Sequence, residues 1–141
     1  MTLSLDLTGQ IAVVTGATGE LGRVITRSLA TAGADVAIHY HSRRERAEEL
    51  AVEVRALGRR ACCVRADVGD EASVNAMRDA VKADLGDASI VVCNAVNQYQ
   101  WTSVLAQPVA DFESQWRTCT VHAVLMAKAF IPGMVPRKHG R

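Results

Sequence analysis

The decisive stretch of the chain is Ile11-Ala12-Val13-Val14-Thr15-Gly16-Ala17-Thr18-Gly19-Glu20-Leu21-Gly22, an apolar run that leads directly into three glycines spaced three residues apart. Gly16 permits a sharp turn off a strand without a clash of a Cβ atom, and Gly19 lets the backbone approach a pyrophosphate closely. Gly22 lets the first turn of the next helix pack tightly on the strand. This order is typical of a dinucleotide-binding turn, but a glycine triplet alone is a weak signal and needs support from the rest of the chain.

Short apolar runs rich in Val and Ile recur along the chain and predict buried parallel strands over residues 11–14, 36–40, 61–64 and 90–93. Apolar residues spaced three or four apart predict helices over residues 21–32, 44–57 and 71–85. A glycine follows each of these helices and predicts a C-cap at Gly33, Gly58 and Gly86. Because strands alternate with helices, we expect right-handed crossovers and a doubly wound, Rossmann-like α/β domain with a parallel sheet.

The composition indicates a globular protein and excludes some partners. The chain has 141 residues, 49% of them hydrophobic and 22% charged, with a net charge of +1. These values suit a single domain over residues 1–141 and argue against a surface that binds nucleic acid. No apolar run approaches the roughly 18 residues needed to cross a membrane, and the N-terminus lacks the pattern of a secretory signal, so we expect a cytoplasmic protein without membrane contact. The four cysteines have no metal-ligand spacing and are predicted to be reduced core residues.

Each predicted strand ends in residues suited to a ligand. In a doubly wound sheet, ligands bind beyond the carboxyl ends of the strands, where the strand order reverses. The first strand runs into the glycine turn, the third into Asp67 and Val68, and the fourth into Asn94 and Ala95. Four suitable strand ends, with the polar segment of residues 39–44 after the second strand, support a binding site far better than one loop does.

Together these residues resemble the short-chain dehydrogenase/reductase family, and the chain is similar to its 3-oxoacyl carrier protein reductases. The resemblance implies a nicotinamide dinucleotide cofactor, with Asp67 and Val68 against the adenine and Asn94 and Ala95 beside the cofactor on the central strand. The segment from Phe112 to Met134 resembles the long fourth helix of the family. The cofactor-binding residues implied in this way are Gly16, Thr18, Gly19, Leu21, Gly22, Tyr40, Ser42, Arg43, Asp67, Val68, Asn94 and Ala95.

Charge favours NADP(H) over NAD(H) as the cofactor. An NAD site usually places Asp or Glu about 20 residues after the glycine loop, whereas an NADP site offers Arg. Residues 39–44 carry no carboxylate before Glu45, and Ser42 with the guanidinium of Arg43 would suit a 2′-phosphate. The alternative is that Arg43 and Arg44 simply open the second helix, although the helix dipole makes that position unfavourable for a cation.

Several positions depart from the family pattern. Glu20 stands where a glycine is usual, and Cys93 and Val96 replace the outer residues of an Asn-Asn-Ala-Gly segment. His122 lies near the expected place of the family's proton-relay asparagine, and the sequence leaves open whether it substitutes for that residue or only packs against the sheet. His39 is assigned no catalytic role.

The catalytic residues of the family are not found in the 141 residues. Family members use a Ser and a Tyr-x-x-x-Lys pair, in which the ammonium one helical turn away lowers the pKa of the phenol. Here Tyr40 is followed at i+4 by Arg44, and Tyr99 by Ser103, so no catalytic residue and no metal ligand is assigned. The fold is expected to be truncated after the fourth βα unit.

Two functions therefore remain open. The chain is either the cofactor-binding portion of an NADP-dependent carbonyl/alcohol oxidoreductase, or a non-catalytic dinucleotide-binding or interaction module that acts as a sensor or is completed by a partner. An expected strand order of 3-2-1-4 leaves the apolar run of residues 90–93 as an edge, which predicts a homo-oligomer or an aggregation-prone chain.

Overall fold

A parallel sheet of four strands, with helices on both faces, forms the centre of the molecule. The computed structural model describes residues 5–141. Residues 1–4 belong to the N-terminal stretch that is predicted to lack a secretory signal, and they lie outside the described part of the chain. The strands are β1 (Ile11–Val14), β2 (Asp35–Tyr40), β3 (Ala61–Arg65) and β4 (Ile90–Val92), in the order β3-β2-β1-β4. The predicted doubly wound α/β fold and its strand order are confirmed.

Three helices connect the strands, namely α1 (Glu20–Thr31), α2 (Arg44–Ala56) and α3 (Glu71–Asp84). A glycine with a positive φ lies two residues after the end of each helix, with φ of 104° at Gly33, 76° at Gly58 and 117° at Gly86. Residues with a Cβ atom rarely adopt this conformation, so the three glycine C-caps are confirmed. At the other end of α3, the Asp70 carboxylate accepts a hydrogen bond of 2.7 Å from the Ser73 amide and caps the helix.

The C-terminal helical segment corresponds to the predicted long fourth helix, but it is interrupted. Helix α4 (Val109–Gln115) continues through a π-helical turn (Trp116–Val121) into α5 (His122–Met134), and the junction residues keep right-handed helical dihedral angles. A π-helical turn inserts extra backbone into an α-helix and is common at functional sites. Helix α5 packs on the sheet and against α3.

Side chains alternate across the sheet and build a core on each face. Val14, Val36 and Ile38 belong to the cluster that packs against α1 and α2. Val13 and Val64 belong to the cluster on the opposite face, which packs against α3 and α5. Successive side chains of a strand point to opposite faces of the sheet, and both faces are buried here. Nearly every residue of a strand is therefore apolar, which explains the continuous apolar runs in the sequence.

The outer edge of β4 is not bare, contrary to the expectation from the sequence. The Arg141 amide donates a hydrogen bond of 2.8 Å to the Ser89 carbonyl oxygen, and the Val91 amide donates one of 2.9 Å to the Arg141 carbonyl oxygen. The guanidinium of Arg137 also donates to the carbonyl oxygens of residues 87 and 88. The chain after α5 therefore returns to the sheet and partly satisfies the edge strand.

The cysteines differ in burial. Cys62 is buried and Cys63 is half-buried, and burial raises the pKa of their thiols to about 12 and about 11 respectively. Cys93 and Cys119 are exposed, so the expectation of four core cysteines is wrong for these two: Cys93 follows the end of β4, and Cys119 lies on the outer side of the π-helical turn. Within residues 5–141, no helix has both the length and the apolar character required to cross a membrane.

Replacing Gly22 by Ala should destabilise the fold. A Cβ atom at Gly22 would lie 2.2 Å from the Gly16 carbonyl oxygen and 2.8 Å from the Ala17 Cα atom, so the turn would have to move. We expect Gly22→Ala to lower the free energy of unfolding by about 2 kcal/mol in urea denaturation without cofactor.

Gly19→Ala is the matched control, because among the described residues a Cβ atom there would approach only the Gly16 carbonyl oxygen, at 3.4 Å. Its cost should stay at about 1 kcal/mol or below, the loss expected from a poorer helix N-cap. Equal losses in the two variants would contradict the close packing inferred at Gly22.

Candidate functional site

The carboxyl ends of the strands open into a cleft of about 870 Å³. The cleft lies at the point where the strand order reverses, because the chain leaves β1 toward β2 on one side while β4 pairs with β1 on the other. Its volume falls within the range of small-molecule sites in proteins. Its walls come from the glycine turn and from the segments that follow β2, β3 and β4.

The structure brings eleven of the twelve predicted cofactor-binding residues to this cleft, namely Gly16, Thr18, Gly19, Leu21, Gly22, Ser42, Arg43, Asp67, Val68, Asn94 and Ala95. Tyr40 is the exception. It is the last residue of β2, and its side chain points with Val36 and Ile38 into the core under α1 and α2. Strand alternation thus places the ring below the sheet edge rather than in the cleft.

The glycine turn is shaped by one close approach and one hydrogen bond. Gly16 has a φ of 61°, and a Cβ atom there would lie 2.8 Å from the Ala95 Cα atom. The Gly19 amide donates a hydrogen bond of 3.1 Å to the Gly16 carbonyl oxygen and closes the turn. By contrast, the Cα atom of Gly19 is open on the cleft side, so a ligand can approach its backbone directly.

Helix α1 begins at Glu20, immediately behind this turn. The N-cap residue is Gly19, and no side chain of residues 5–141 caps the helix. The first-turn amides therefore lack acceptors within the helix, and the positive dipole end faces the cleft. Such a terminus is a ready site for a phosphate group. The Glu20 side chain is exposed on the rim of the cleft and contributes a negative charge there.

Thr15 and Asn94 tie the turn to the end of β4. The Thr15 hydroxyl oxygen accepts hydrogen bonds from the amides of Asn94 and Ala95, at 2.9 and 3.0 Å. The Asn94 side-chain amide donates in return to the carbonyl oxygens of Thr15 and Gly16, at 3.0 and 3.2 Å. Thr15 is not among the predicted site residues. The feature of the sequence that could have indicated it is a hydroxyl group directly after an apolar strand.

His39 holds the turn from the other side. Its Nδ1 atom accepts a hydrogen bond of 2.9 Å from the Gly16 amide, and its Nε2 atom lies 3.1 Å from the Ala66 carbonyl oxygen. The side chain is only 2% exposed, and burial lowers the pKa of the ring from its ordinary value. No role for His39 is predicted from the sequence, because the contact with Gly16 depends on the pairing of β1 with β2.

His122 lies beneath the cleft and does not line it. The side chain is 1% exposed, and its Nδ1 atom is 3.0 Å from the Thr118 carbonyl oxygen one turn earlier. A carbonyl oxygen only accepts, so Nδ1 carries the proton, and Nε2 has no hydrogen-bond partner within residues 5–141. Burial lowers the pKa of the ring, against the smaller opposite effect of the carbonyl groups of Thr118 and Ala95. The structure thus gives His122 a packed position under the site.

The residues predicted for the adenine and the 2′-phosphate line the side of the cleft formed after β2 and β3. The Asp67 carboxylate accepts a hydrogen bond of 2.8 Å from the Gly69 amide and does not cap α3, since Asp70 does so. Arg43 is exposed on the cleft wall and forms no ion pair within the described part of the chain, whereas Arg44 lies 3.7 Å from Glu48. No cluster of three or more His, Cys, Asp or Glu side chains in residues 5–141 is arranged to hold a metal ion.

The two buried histidines should make the stability of the fold depend on pH. Burial holds the pKa of both rings below the ordinary value of 6.5, so the unfolded chain binds more protons than the folded chain just below that pH. The stabilisation is complete above pH 6.5 and is lost as the pH falls through the lowered pKa values. We expect the free energy of unfolding, measured in urea between about pH 5 and 8, to rise with pH up to about pH 6.5 and then to level off.

His139→Asn is the control for this measurement, because His139 is exposed and is not among the groups that shift the pKa of either buried ring. The variant should keep the same pH dependence as the unaltered chain. A free energy of unfolding that does not change below pH 6.5 would contradict the neutral, buried state of the two rings.

Comparison with known proteins agrees with the geometry. A family model described as short chain dehydrogenase matches residues 10–141. A 2-dehydro-3-deoxy-D-gluconate 5-dehydrogenase from Formosa agariphila is 29% identical over 136 residues, which are 96% of this chain and 51% of that protein. The chain spans about half the length of the relatives that it matches.

Solved structures show the same fold. A gluconate 5-dehydrogenase from Burkholderia cenocepacia J2315, in complex with NADP and tartrate, superposes with a TM-score of 0.86 at 31% identity, covering 97% of this chain and 53% of that one. A short-chain type dehydrogenase/reductase from Mycobacterium marinum gives a TM-score of 0.85 at 30% identity, with 94% and 53% covered. The strand order, the glycine turn and the family match over 10–141 lead to one conclusion: the chain belongs to the short-chain dehydrogenase family.

Proposed function

We propose that the chain binds NADP(H) and forms the cofactor-binding portion of an oxidoreductase that interconverts a carbonyl and an alcohol. The observation that carries the proposal is the position of Ser42 and Arg43 on the wall of the same cleft that the glycine turn lines. When bound, the nicotinamide would supply or accept the hydride, and the chain's own residues would bind and orient the dinucleotide.

The turn fits a pyrophosphate. Gly19 leaves its backbone open to the cleft, and the first-turn amides of α1 face the same space without acceptors in the helix. Glu20 opposes this fit, because its carboxylate stands on the rim of the same space. We therefore expect NADP(H) to bind with modest affinity, because the negative charge of Glu20 partly offsets the favourable helix dipole and amide contacts.

The side of the cleft formed after β2 and β3 fits an adenosine 2′-phosphate. Asp67 and Val68 line the wall where the adenine would lie, and Arg43 stands nearby with its guanidinium free of any carboxylate in the described residues. A guanidinium and a hydroxyl together suit a phosphate dianion. NADP in the complex of the Burkholderia cenocepacia relative supports this choice of cofactor for the present chain.

The proton-transferring group of the reaction is not assigned to any of these 141 residues. The Tyr40 ring is buried in the core, and Tyr99 packs on Trp101, with ring centroids 5.3 Å apart, outside the residues that line the cleft. The same observation favours the second candidate, a non-catalytic dinucleotide-binding module. Determining the coding sequence beyond codon 141 distinguishes the two, because a Ser and a Tyr-x-x-x-Lys pair there would support the oxidoreductase, and their absence the module.

Arg43 should determine the preference for NADPH. In isothermal titration calorimetry we expect tighter binding of NADPH than of NADH, and we expect Arg43→Ala to weaken NADPH binding by about tenfold through loss of one charge-assisted contact. NADH binding should change little, because NADH lacks the 2′-phosphate.

Arg46→Ala is the matched control, since Arg46 is an exposed arginine of α2 that does not line the cleft. It should leave both affinities near those of the unaltered chain. Tighter binding of NADH than of NADPH, or equal losses for both cofactors in Arg43→Ala, would overturn the assignment of the 2′-phosphate site.

Self-association is part of the same proposal, and we place the protein in the cytoplasm, as the composition suggests. Large apolar side chains are exposed on the loop before α4 and at the start of the π-helical turn, including Trp101 at 84%, Leu105 at 100% and Trp116 at 62%. An exposed patch of this kind marks an interaction surface more often than a solvated one. A second copy of the chain is the proposed partner.

Light scattering at micromolar concentration should therefore report a dimer or a larger species. Leu105→Asp should shift the distribution toward the monomer, because a buried carboxylate would cost more than the apolar contact contributes. Val52→Asp, at an exposed apolar position of α2, is the control and should leave the distribution unchanged. A monomer in the unaltered chain would contradict the association.

A further inference from the structure

We propose that His39 is a positioning residue of the dinucleotide site: its neutral imidazole holds the glycine turn against the end of β3, and protonation of the ring releases the turn and weakens cofactor binding in acid. The inference rests on the proposed dinucleotide binding for its consequence, but the link between His39 and Gly16 can be tested without any cofactor.

The hydrogen bonds fix the tautomer of the ring. The Gly16 backbone amide can only donate, so Nδ1 of His39, 2.9 Å away, must present its lone pair. The Ala66 carbonyl oxygen can only accept, so Nε2, 3.1 Å away, must carry the proton. Both nitrogens are therefore committed in the neutral ring. A second proton on Nδ1 would face the Gly16 N–H and break that bond.

The bond matters because it supports a residue in the left-handed region. Gly16 has a φ of 61°, and its backbone is held on one side by the Asn94 side-chain amide, which donates to its carbonyl oxygen at 3.2 Å. On the other side, the His39 ring accepts from the Gly16 amide, and the His39 carbonyl oxygen accepts from the Ala17 amide at 3.1 Å. If the hydrogen bond from the Gly16 amide to the His39 ring were lost, the hydrogen bond from the Ala17 amide would be the remaining contact between His39 and the turn.

The surroundings of the ring keep it neutral near neutral pH. Burial is the largest effect and lowers its pKa, and the nearby His122 of α5 and His41, just after β2, lower it further when they are protonated. The Ala66 carbonyl oxygen and the Asp67 carboxylate, both after β3, act in the opposite direction. Because burial prevails, the ring takes up its second proton only below its ordinary pH range.

Nuclear magnetic resonance of the unaltered chain tests the link directly. Long-range ¹H–¹⁵N spectra at neutral pH should show the proton of His39 on Nε2, and the Gly16 amide shift should follow the titration of the ring as the pH is lowered. A proton on Nδ1 at neutral pH, or a Gly16 amide that ignores the titration of His39, would overturn the proposal.

Cofactor binding tests the consequence. Dissociation constants for NADH should rise by about fivefold when the pH falls through the titration of His39, the effect of losing about one hydrogen bond. NADH is the better probe for this measurement, because the 2′-phosphate of NADPH itself titrates near pH 6. If the unaltered chain binds neither NADH nor NADPH at neutral pH, the proposed function fails, while the resonance experiment still decides the role of His39.

Three substitutions make the test specific. His39→Asn keeps an acceptor near the position of Nδ1 but does not titrate, so its NADH affinity should lose the pH dependence, whereas His39→Leu lacks the acceptor and should bind weakly at every pH. His122→Asn removes the neighbouring buried histidine and should keep the pH dependence. If a variant fails to fold, the tautomer and the Gly16 titration of the unaltered chain remain decisive. A pH dependence that persists in His39→Asn would overturn the proposal.

Discussion

The close approach of the Gly16 turn to Ala95 is the constraint on which the rest of the site depends. A Cβ atom at Gly16 would lie 2.8 Å from the Ala95 Cα atom, so the first turn after β1 and the segment after β4 can meet only if the turn begins with glycine. Once they meet, Thr15 and Asn94 exchange hydrogen bonds between the two segments. The N-terminus of α1 is thereby held at the point where the strand order reverses.

The fold could be predicted from the sequence because its signals are local. Val- and Ile-rich runs indicated strands, and Gly33, Gly58 and Gly86 marked the helix ends. The glycine turn indicated the position of the ligand. Most of the predicted cofactor-binding residues reach the cleft for the same reason, since each follows a strand directly and the carboxyl ends of parallel strands share one edge.

The rest required tertiary structure. Tyr40 follows the apolar side of its strand into the core, and His39 meets Gly16 only because β1 and β2 pair in a particular register. The return of Arg141 to β4 and the exposure of Cys119 depend on contacts far apart in sequence or on the path of an irregular helix. Charge and apolar spacing carry no information on such contacts.

The π-helical turn at residues 116–121 changes which way the C-terminal helix faces. One residue in an α-helix rotates the surface by about 100°, so extra backbone in the turn redirects every side chain that follows it. Helix α4 buries none of its side chains, whereas α5 buries several, among them Met126 and Phe130. The irregular turn thus changes the direction in which the side chains of one continuous helix point. At the start of the helix an apolar surface faces outward, and at its end another apolar surface faces inward and packs on the sheet.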